Sequence, residues 1–399
     1  MTLEPDHAEA DEATAPVTAA TAGQSAIADV SYRNYDGEMP LRPLLARAWT
    51  IAAATVRANV NRRKFGYWIP AALILVINFF LGIIHYVTQN VRDQMAAQAA
   101  MTGGLIGGLP EGPANPYALT LYQGVTWSLF LVFIAALTVG SSTIAADNRA
   151  NALLVYFARP ITRLDYLVGK WVGLFLLLAP LTLVPSLLLY LFFVATYNDV
   201  GFLKETPTLI FRLLGATLFP AALHASLMLG FSAWSKTPRM AGAVYAGFYF
   251  VVSVLSGVAG NILLERDQEQ KQAKTTAIVS NLSVSGVASG VAMNLYDVTP
   301  RQVVARFQSG GRRRRRPTPS PSPTPPAVAA TPAPSGASPA PAAGAPDGAR
   351  EPRRPRRRGP VVLPERPGMP AMLFVGGLMI VLPLAAAHAK VRAVEVVRG

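Results

Sequence analysis

The stretch with most chemistry to offer is Asp147-Asn-Arg-Ala-Asn-Ala-Leu-Leu-Val-Tyr-Phe-Ala-Arg-Pro-Ile-Thr-Arg-Leu-Asp-Tyr-Leu-Val-Gly-Lys170. Four cations, Arg149, Arg159, Arg163 and Lys170, surround a dense apolar cluster of Leu153, Leu154, Val155, Tyr156 and Phe157. These residue types suit recognition: guanidinium forks clamp carboxylates and carbonyl groups, and an apolar knob fills a groove. A short helix would end before Arg159-Pro160, because the residue ahead of a proline is pushed out of helical geometry. Thr162 could then cap a second helix running through Tyr166. The same residues also permit a loop that tucks its apolar side chains against its own helices and uses its Arg only for orientation. The chemistry alone does not separate these two arrangements.

Other chemistries lack their residues. A phosphate-binding loop needs Gly-x-x-x-x-Gly-Lys followed by Ser or Thr. Gly169-Lys170 is followed by Trp171 and has no upstream Gly, so the chain binds no nucleotide there and no cofactor is expected in it. Absence of Cys excludes disulfides, thiolate metal sites and Cys nucleophiles. An intramembrane protease is the rival class, but His-Glu-x-x-His is missing and Ser285-Gly286 has no evident His partner. Among polar residues in apolar stretches stand Asn78, His85, His224 and His388, with Pro180, Pro185 and Pro220 able to bend helices. His85 and His388 fall near stretch ends and read as interfacial, His224 as a helix-to-helix hydrogen bond. Gly140, Ser141, Ser142, Gly257 and Gly260 read as permitting close helix packing.

The elements that would position the loop are six long apolar stretches, Tyr67–Val87, Leu119–Ala145, Trp171–Thr196, Leu213–Ser232, Ala241–Leu264 and Met369–Ala387, none with an interior Asp, Glu, Lys or Arg. At about 1.5 Å per residue each can cross a hydrocarbon core about 30 Å thick, and in lipid only a helix satisfies its own backbone. The loop itself cannot be a span: four Lys or Arg at the membrane centre would cost on the order of 10 kcal/mol. The fold class is therefore an all-α polytopic membrane protein. Arg57, Arg62, Arg63 and Lys64 precede the first span, and the 146–170 loop is basic, as are Lys236 with Arg239 and the tail with Lys390, Arg392 and Arg398; the alternate loops offer Arg92, or Lys204 with Arg212 at the edge of the fourth span. The positive-inside tendency then predicts six crossings with both termini cytoplasmic.

Outside the spans, residues 1–40 form an acidic, Ala/Thr-rich tail with neither basic start nor apolar run of a signal peptide, predicted disordered. Residues 307–368 are Pro, Ala, Ser and Arg-rich with twelve Arg against three acidic residues, so nine units of the formal +14 sit there. Such composition predicts a disordered, locally polyproline-like loop. Between the fifth span and that loop, 265–306 reads as an extracytoplasmic surface or re-entrant segment. Its stretch 276–295 holds Asn281, Asn294, four Ser and two Gly, too weakly apolar for a seventh crossing, which would also put the basic C-terminus outside.

Residues 41–66 precede the first span. Leu41, Leu45, Trp49, Ala52, Val56 and Val60 recur at helical period, while Arg47 and Arg57 fall off the stripe and Asn59–Lys64 form a basic hinge. This predicts an amphipathic helix lying in the inner-leaflet interface, its apolar side in lipid and its Arg, with Arg62 and Arg63, toward head groups.

The run Ile144-Ala-Ala-Asp147, then Tyr156-Phe-Ala-Arg159-Pro160-Ile-Thr-Arg163-Leu-Asp-Tyr166-Leu-Val-Gly169-Lys170, resembles the loop after the second span of type-2 ATP-binding-cassette (ABC-2) permeases. There an acidic residue ends the span, Arg-Pro-x-x-Arg follows and Tyr-x-x-Gly-Lys opens the next helix. Tyr35-Asp-Gly before a basic amphipathic helix is similar to the start of those permeases, and the likeness covers 32–264 and the last span; the Arg/Pro-rich loop departs from it. The resemblance implies a permease without ATPase chemistry, working as two permease chains, like or unlike, with two copies of a separate ABC ATPase subunit that holds ATP and magnesium. It implies that Asp147, Arg149, Leu153, Leu154, Tyr156, Phe157, Arg159, Pro160, Arg163, Tyr166, Gly169 and Lys170 form the coupling contact with that subunit. It further implies export across a bacterial cytoplasmic membrane. A third possibility is a nontransporting scaffold whose Arg tract binds a polyanion, although Arg blocks without interleaved aromatics argue against specific nucleic-acid readout.

Overall fold

A computed structural model describes residues 43–60, 65–101, 115–153, 161–270, 273–304 and 365–391. The tail and the Arg/Pro-rich loop predicted disordered lie outside these residues, apart from 365–368. Among the described residues all regular structure is helical: α1 Leu44–Val60, α2 Phe65–Met101, α3 Pro116–Gly140, α4 Ala145–Arg149, α5 Arg163–Tyr197, α6 Phe202–Glu205, α7 Leu209–Trp234, α8 Pro238–Gln270, α9 Ala273–Val279, α10 Val284–Leu295 and α11 Met369–Lys390. Six of them, α2, α3 with α4, α5, α7, α8 and α11, are long and apolar enough to cross a membrane. They correspond one for one to the predicted spans, and the extra length lies in flanking sequence with good helix formers. Thr88–Met101, for example, carries Gln, Arg, Met and Ala, so α2 continues beyond the expected end at Val87.

Local signals set several boundaries. Asn115 accepts a hydrogen bond from the Ala118 amide with Pro116 at the first helical position, which starts α3. Thr162 and Asp165 form a reciprocal capping box at the head of α5. The central helix is α7, which packs on α3, α5, α8, α10 and α11. Close approaches hold it there: Met228 lies against Gly140, and the Pro383 backbone of α11 against Gly230, where a methyl group would come within 2.6 Å of Pro383. By contrast α2, α8 and α11 leave most of their surface outward, with large apolar residues such as Phe79, Val254 and Phe374 exposed as lipid-facing side chains are.

The segment after α8 forms a hairpin. α9 runs back along α8, with Ser256 Oγ donating to the Val279 carbonyl at 2.9 Å and Ser280 against Gly260. The chain turns at 280–283, and α10 returns through the bundle from Val284 and Val287, packed with Tyr245 and Leu223, to Tyr296, packed with Ala118 and Leu119. With 12 residues, α10 covers about 18 Å, short of a full crossing. Both arms therefore open at one end of the bundle. Its exit is tied to the start of α11 by the Arg366–Asp297 ion pair and by Asn294 Nδ2 donating to the Pro367 carbonyl at 2.8 Å.

Helix α1 is seated on α5 by a face set largely beside its apolar stripe, of which only Ala52 is fully buried. Ala48, Ile51, Ala52 and Thr55 are buried on α5, while Leu45 is 78% and Trp49 59% exposed; Val56 is half-buried, Val60 and Arg57 are exposed, and Leu41, Arg62 and Arg63 lie outside the described residues. The reason is steric. Gly169 and Gly173 let the α1 backbone settle on α5, and a Cβ at Gly169 would stand 2.7 Å from Ile51 Cβ and 2.8 Å from the Ala48 carbonyl. Small residues make that contact, so the large ones are left for the surroundings.

Candidate coupling site

The second span breaks before it reaches the loop. α3 ends at Gly140, residues 141–144 turn, and α4 carries Asp147 and Asn148 on a helix of five residues. Two residues further on, Asn151 adopts φ 50°, a left-handed conformation that Asn tolerates.

Two ion pairs fix this region. Lys170 Nζ lies 2.7 Å from Asp147 Oδ2, which also accepts a hydrogen bond from the Tyr166 hydroxyl at 2.7 Å. Tyr166 and Lys170 stand one helical turn apart on α5, which stacks the ammonium over the ring at 5.5 Å and aims both groups at one carboxylate. Arg47 of α1 meets Asp165 at 2.7 Å; the same carboxylate oxygen accepts the Thr162 amide at 2.9 Å, and the Asp165 side chain is fully buried. One pair thus ties α4 to α5, the other α1 to α5.

The charges of the loop sort by burial. Lys170 and Arg47 are neutralised inside, whereas Arg149 and Arg163 are exposed and make no ion pair among the described residues. Leu153 is half-buried against the cluster of Tyr166, Leu167, Ile144 and Leu229, so the first residue of the apolar run takes the tucked arrangement. Leu154, Val155, Tyr156, Phe157, Arg159 and Pro160 lie outside the described residues. Gly169 serves as the seat of α1. Lys170, held by Asp147, is not presented to a phosphate.

Sequence reasoning directed Arg47 to lipid head groups, passed over Asn148 and Ser232 and quoted Asp165 without giving it a role. Asp165 had a local signal, three residues after Thr162, as a capping box requires. The other three are joined to the site only across the fold: Asn148 Nδ2 donates to the Ala233 carbonyl at 3.3 Å, and Ser232 Oγ accepts the Ile144 and Ala145 amides.

The intramembrane candidates do not converge. His224 is buried and pairs with the Tyr245 hydroxyl at 2.6 Å, joining α7 to α8. His85 lies near a span end as expected but is turned inward instead of interfacial, 2.8 Å from Thr120 Oγ1 and packed on Tyr117 and Phe193. Asn78 donates to its own helix at Ile74, and His388 is exposed at the end of α11. Ser285 meets Ser283 at 3.4 Å, and no Ser–His pair forms among the described residues.

Six spanning helices, a broken second span and a capped third, ion-paired to each other at one end, define a polytopic helical membrane protein. The chain belongs to the ABC-2 family of transporter proteins, whose family model matches residues 15–387. No curated protein matches it. It is accordingly a membrane component of a transport system, of a generally non-catalytic class.

Proposed function

We propose that the chain is the permease subunit of an ABC exporter, driven by a separate ATPase subunit that docks on the loop between α4 and α5. ATP and magnesium belong to that partner, two copies of which work with two permease chains. What carries the reading is the sorting of charges at the loop: the buried Lys170 and half-buried Arg47 are paired and fix three helices as one block, and Arg149 and Arg163 remain outward for an acidic or carbonyl-rich groove. Closure of the ATPase pair would push this block, and the helices would pass the movement into the bundle.

The charge of the two ends supports a cytoplasmic loop. Arg47, Arg57, Arg149, Arg163, Lys170, Lys236, Arg239 and Lys390 stand at the loop end against Asp147 and Asp165, whereas at the opposite end Arg92, Lys204, Arg212, Arg301 and Arg366 are balanced by Asp93, Asp199, Glu205, Asp297 and Glu365. Exposed Trp49, Trp68 and Trp234 at the loop end, with Lys390 over the Trp234 ring at 5.4 Å, fit a membrane interface next to anionic head groups. In this reading α1 lies at that interface with Leu45 and Trp49 in lipid, both termini are cytoplasmic, and the membrane is a bacterial inner membrane.

Purification from native membranes, with and without residues 153–157, tests the proposal. An ABC ATPase should accompany the intact chain and be lost from the deletion variant while membrane insertion persists. Labelling of Arg149→Cys by an impermeant reagent in intact cells would place the loop outside and sink it.

A further inference from the structure

The start of α4 has no cap of its own. Ile144 stands at the N-cap position without a side-chain hydrogen bond to offer, Ser142 Oγ bonds back to the Val139 carbonyl, and the Thr143 hydroxyl is buried without a partner among the described residues. Three hydroxyls precede the helix and none serves it. The cap comes from α7: Ser232 Oγ accepts the Ile144 amide at 3.0 Å and the Ala145 amide at 2.9 Å, and donates to the Ser141 carbonyl at 3.1 Å. A hydroxyl has one donor and two acceptor sites, so Ser232 is fully used, and every atom concerned belongs to a fully or largely buried residue except the half-buried Ser141.

We infer that Ser232 is a positioning residue for the ATPase dock, holding α4 in the one orientation from which the docking loop starts. This rests on the loop being that dock. A helix of five residues does not sustain itself, so its direction is set by what ties it down. Ser232 ties its first turn to α7. Asn148, donating to the Ala233 carbonyl at 3.3 Å, ties the other end to the last turn of the same helix. Asp147, between them in space, ties it to α5. Force applied to the loop therefore divides between α5, through an ion pair, and α7, through hydrogen bonds. Without the Ser232 hydroxyl two amides at the break lose their acceptor, α4 swings, and a partner must order it on docking.

Because the chain has no Cys, nitroxide labels at Ala150→Cys and Lys236→Cys report the distance from α4 to the end of α7 without background. In the purified full chain in lipid vesicles we expect a narrow distance distribution, at least twofold broadening in Ser232→Ala, restoration in Ser232→Thr and a smaller broadening in Asn148→Ala, a variant that leaves the buried cap in place. The affinity of the co-purifying ATPase should fall about tenfold in Ser232→Ala and return in Ser232→Thr. A Ser232→Ala distribution as narrow as wild type overturns the inference, as does broadening with unchanged ATPase affinity. If the wild-type chain binds no ATPase, the docking reading fails, and the label distances still decide whether Ser232 holds α4.

Discussion

Lys170 and Asp147 meet at 2.7 Å across the loop that separates the second and third spans, with the Tyr166 hydroxyl on the same carboxylate oxygen. Lys170 is nearly buried, so removal of Asp147 leaves a desolvated ammonium, at a cost of about 3 kcal/mol. Asp147→Asn and Lys170→Met should each lower the thermal midpoint of the detergent-solubilised chain and expose the loop to protease. The exchange Asp147→Lys with Lys170→Asp should recover part of the loss. Additive losses in the exchange variant would show that the pair is not what holds α4.

The seat of α1 is narrow. Gly173 faces Thr55 and the Ala52 carbonyl as Gly169 faces Ile51, at distances a methyl group cannot keep. Gly169→Val should therefore lift α1 from α5. With a single cysteine placed at Ala52, which is fully buried, thiol labelling in membranes should be slow in the wild-type background and at least tenfold faster with Gly169→Val. Equal rates would mean that α1 is not held by this contact.

How far the sequence reveals this arrangement depends on what kind of force acts at each position. Spans are legible because lipid rewards apolar length, and Thr162 is legible because a cap is a local signal. The face that α1 seats on α5 is not. In water the largest apolar side chains would point inward, but in lipid they gain nothing by burial, and protein contacts go to small residues that permit close approach. Leu45 and Trp49 therefore point outward, and Ala48, Ala52 and Thr55 make the contact. Arg47 with Asp165 and Ser232 with Ala145 are partners separated by 118 and 87 residues, and no periodicity or spacing encodes them.

The described residues on either side of the Arg/Pro-rich segment meet at one anchorage, where Arg366 pairs with Asp297 and Asn294 holds the Pro367 carbonyl. Removing residues 310–358 should keep membrane insertion and thermal midpoint. Shortening a long loop relieves closure entropy by about 0.6 kcal/mol per halving, so a small gain in stability is expected. A transport component should keep most of its ATPase association in this variant, whereas a scaffold acting through its Arg tract should lose its partner. Collapse of the α10–α11 packing on deletion would show the insertion to be structural.

The His224–Tyr245 pair joins α7 to α8 inside the bundle, where an interhelical hydrogen bond contributes about 0.6 kcal/mol on average. Tyr245→Phe should lower stability by no more than about 1.5 kcal/mol and leave ATPase association intact. A much larger effect on association than on unfolding would give this pair a part in transmission.

Exposed and ion-paired arginines at this end of the bundle should behave in opposite ways. Arg149 and Arg163 are exposed and make no ion pair among the described residues, so their reversal to Glu should leave the thermal midpoint nearly unchanged. If they clamp a partner, that double reversal should slow ATPase association and flatten its dependence on ionic strength, because charges at an interface rim act on encounter rates. Arg47 presents the reverse case. It pairs with a fully buried Asp165 that also closes the capping box of α5, so Arg47→Ala should lower stability while leaving the outward charges of the loop in place. Association rates measured across a salt series, beside unfolding midpoints for the same variants, separate the two. If Arg149→Glu with Arg163→Glu unfolds the chain, or binds the ATPase as fast as wild type at low salt, these residues are not the clamp.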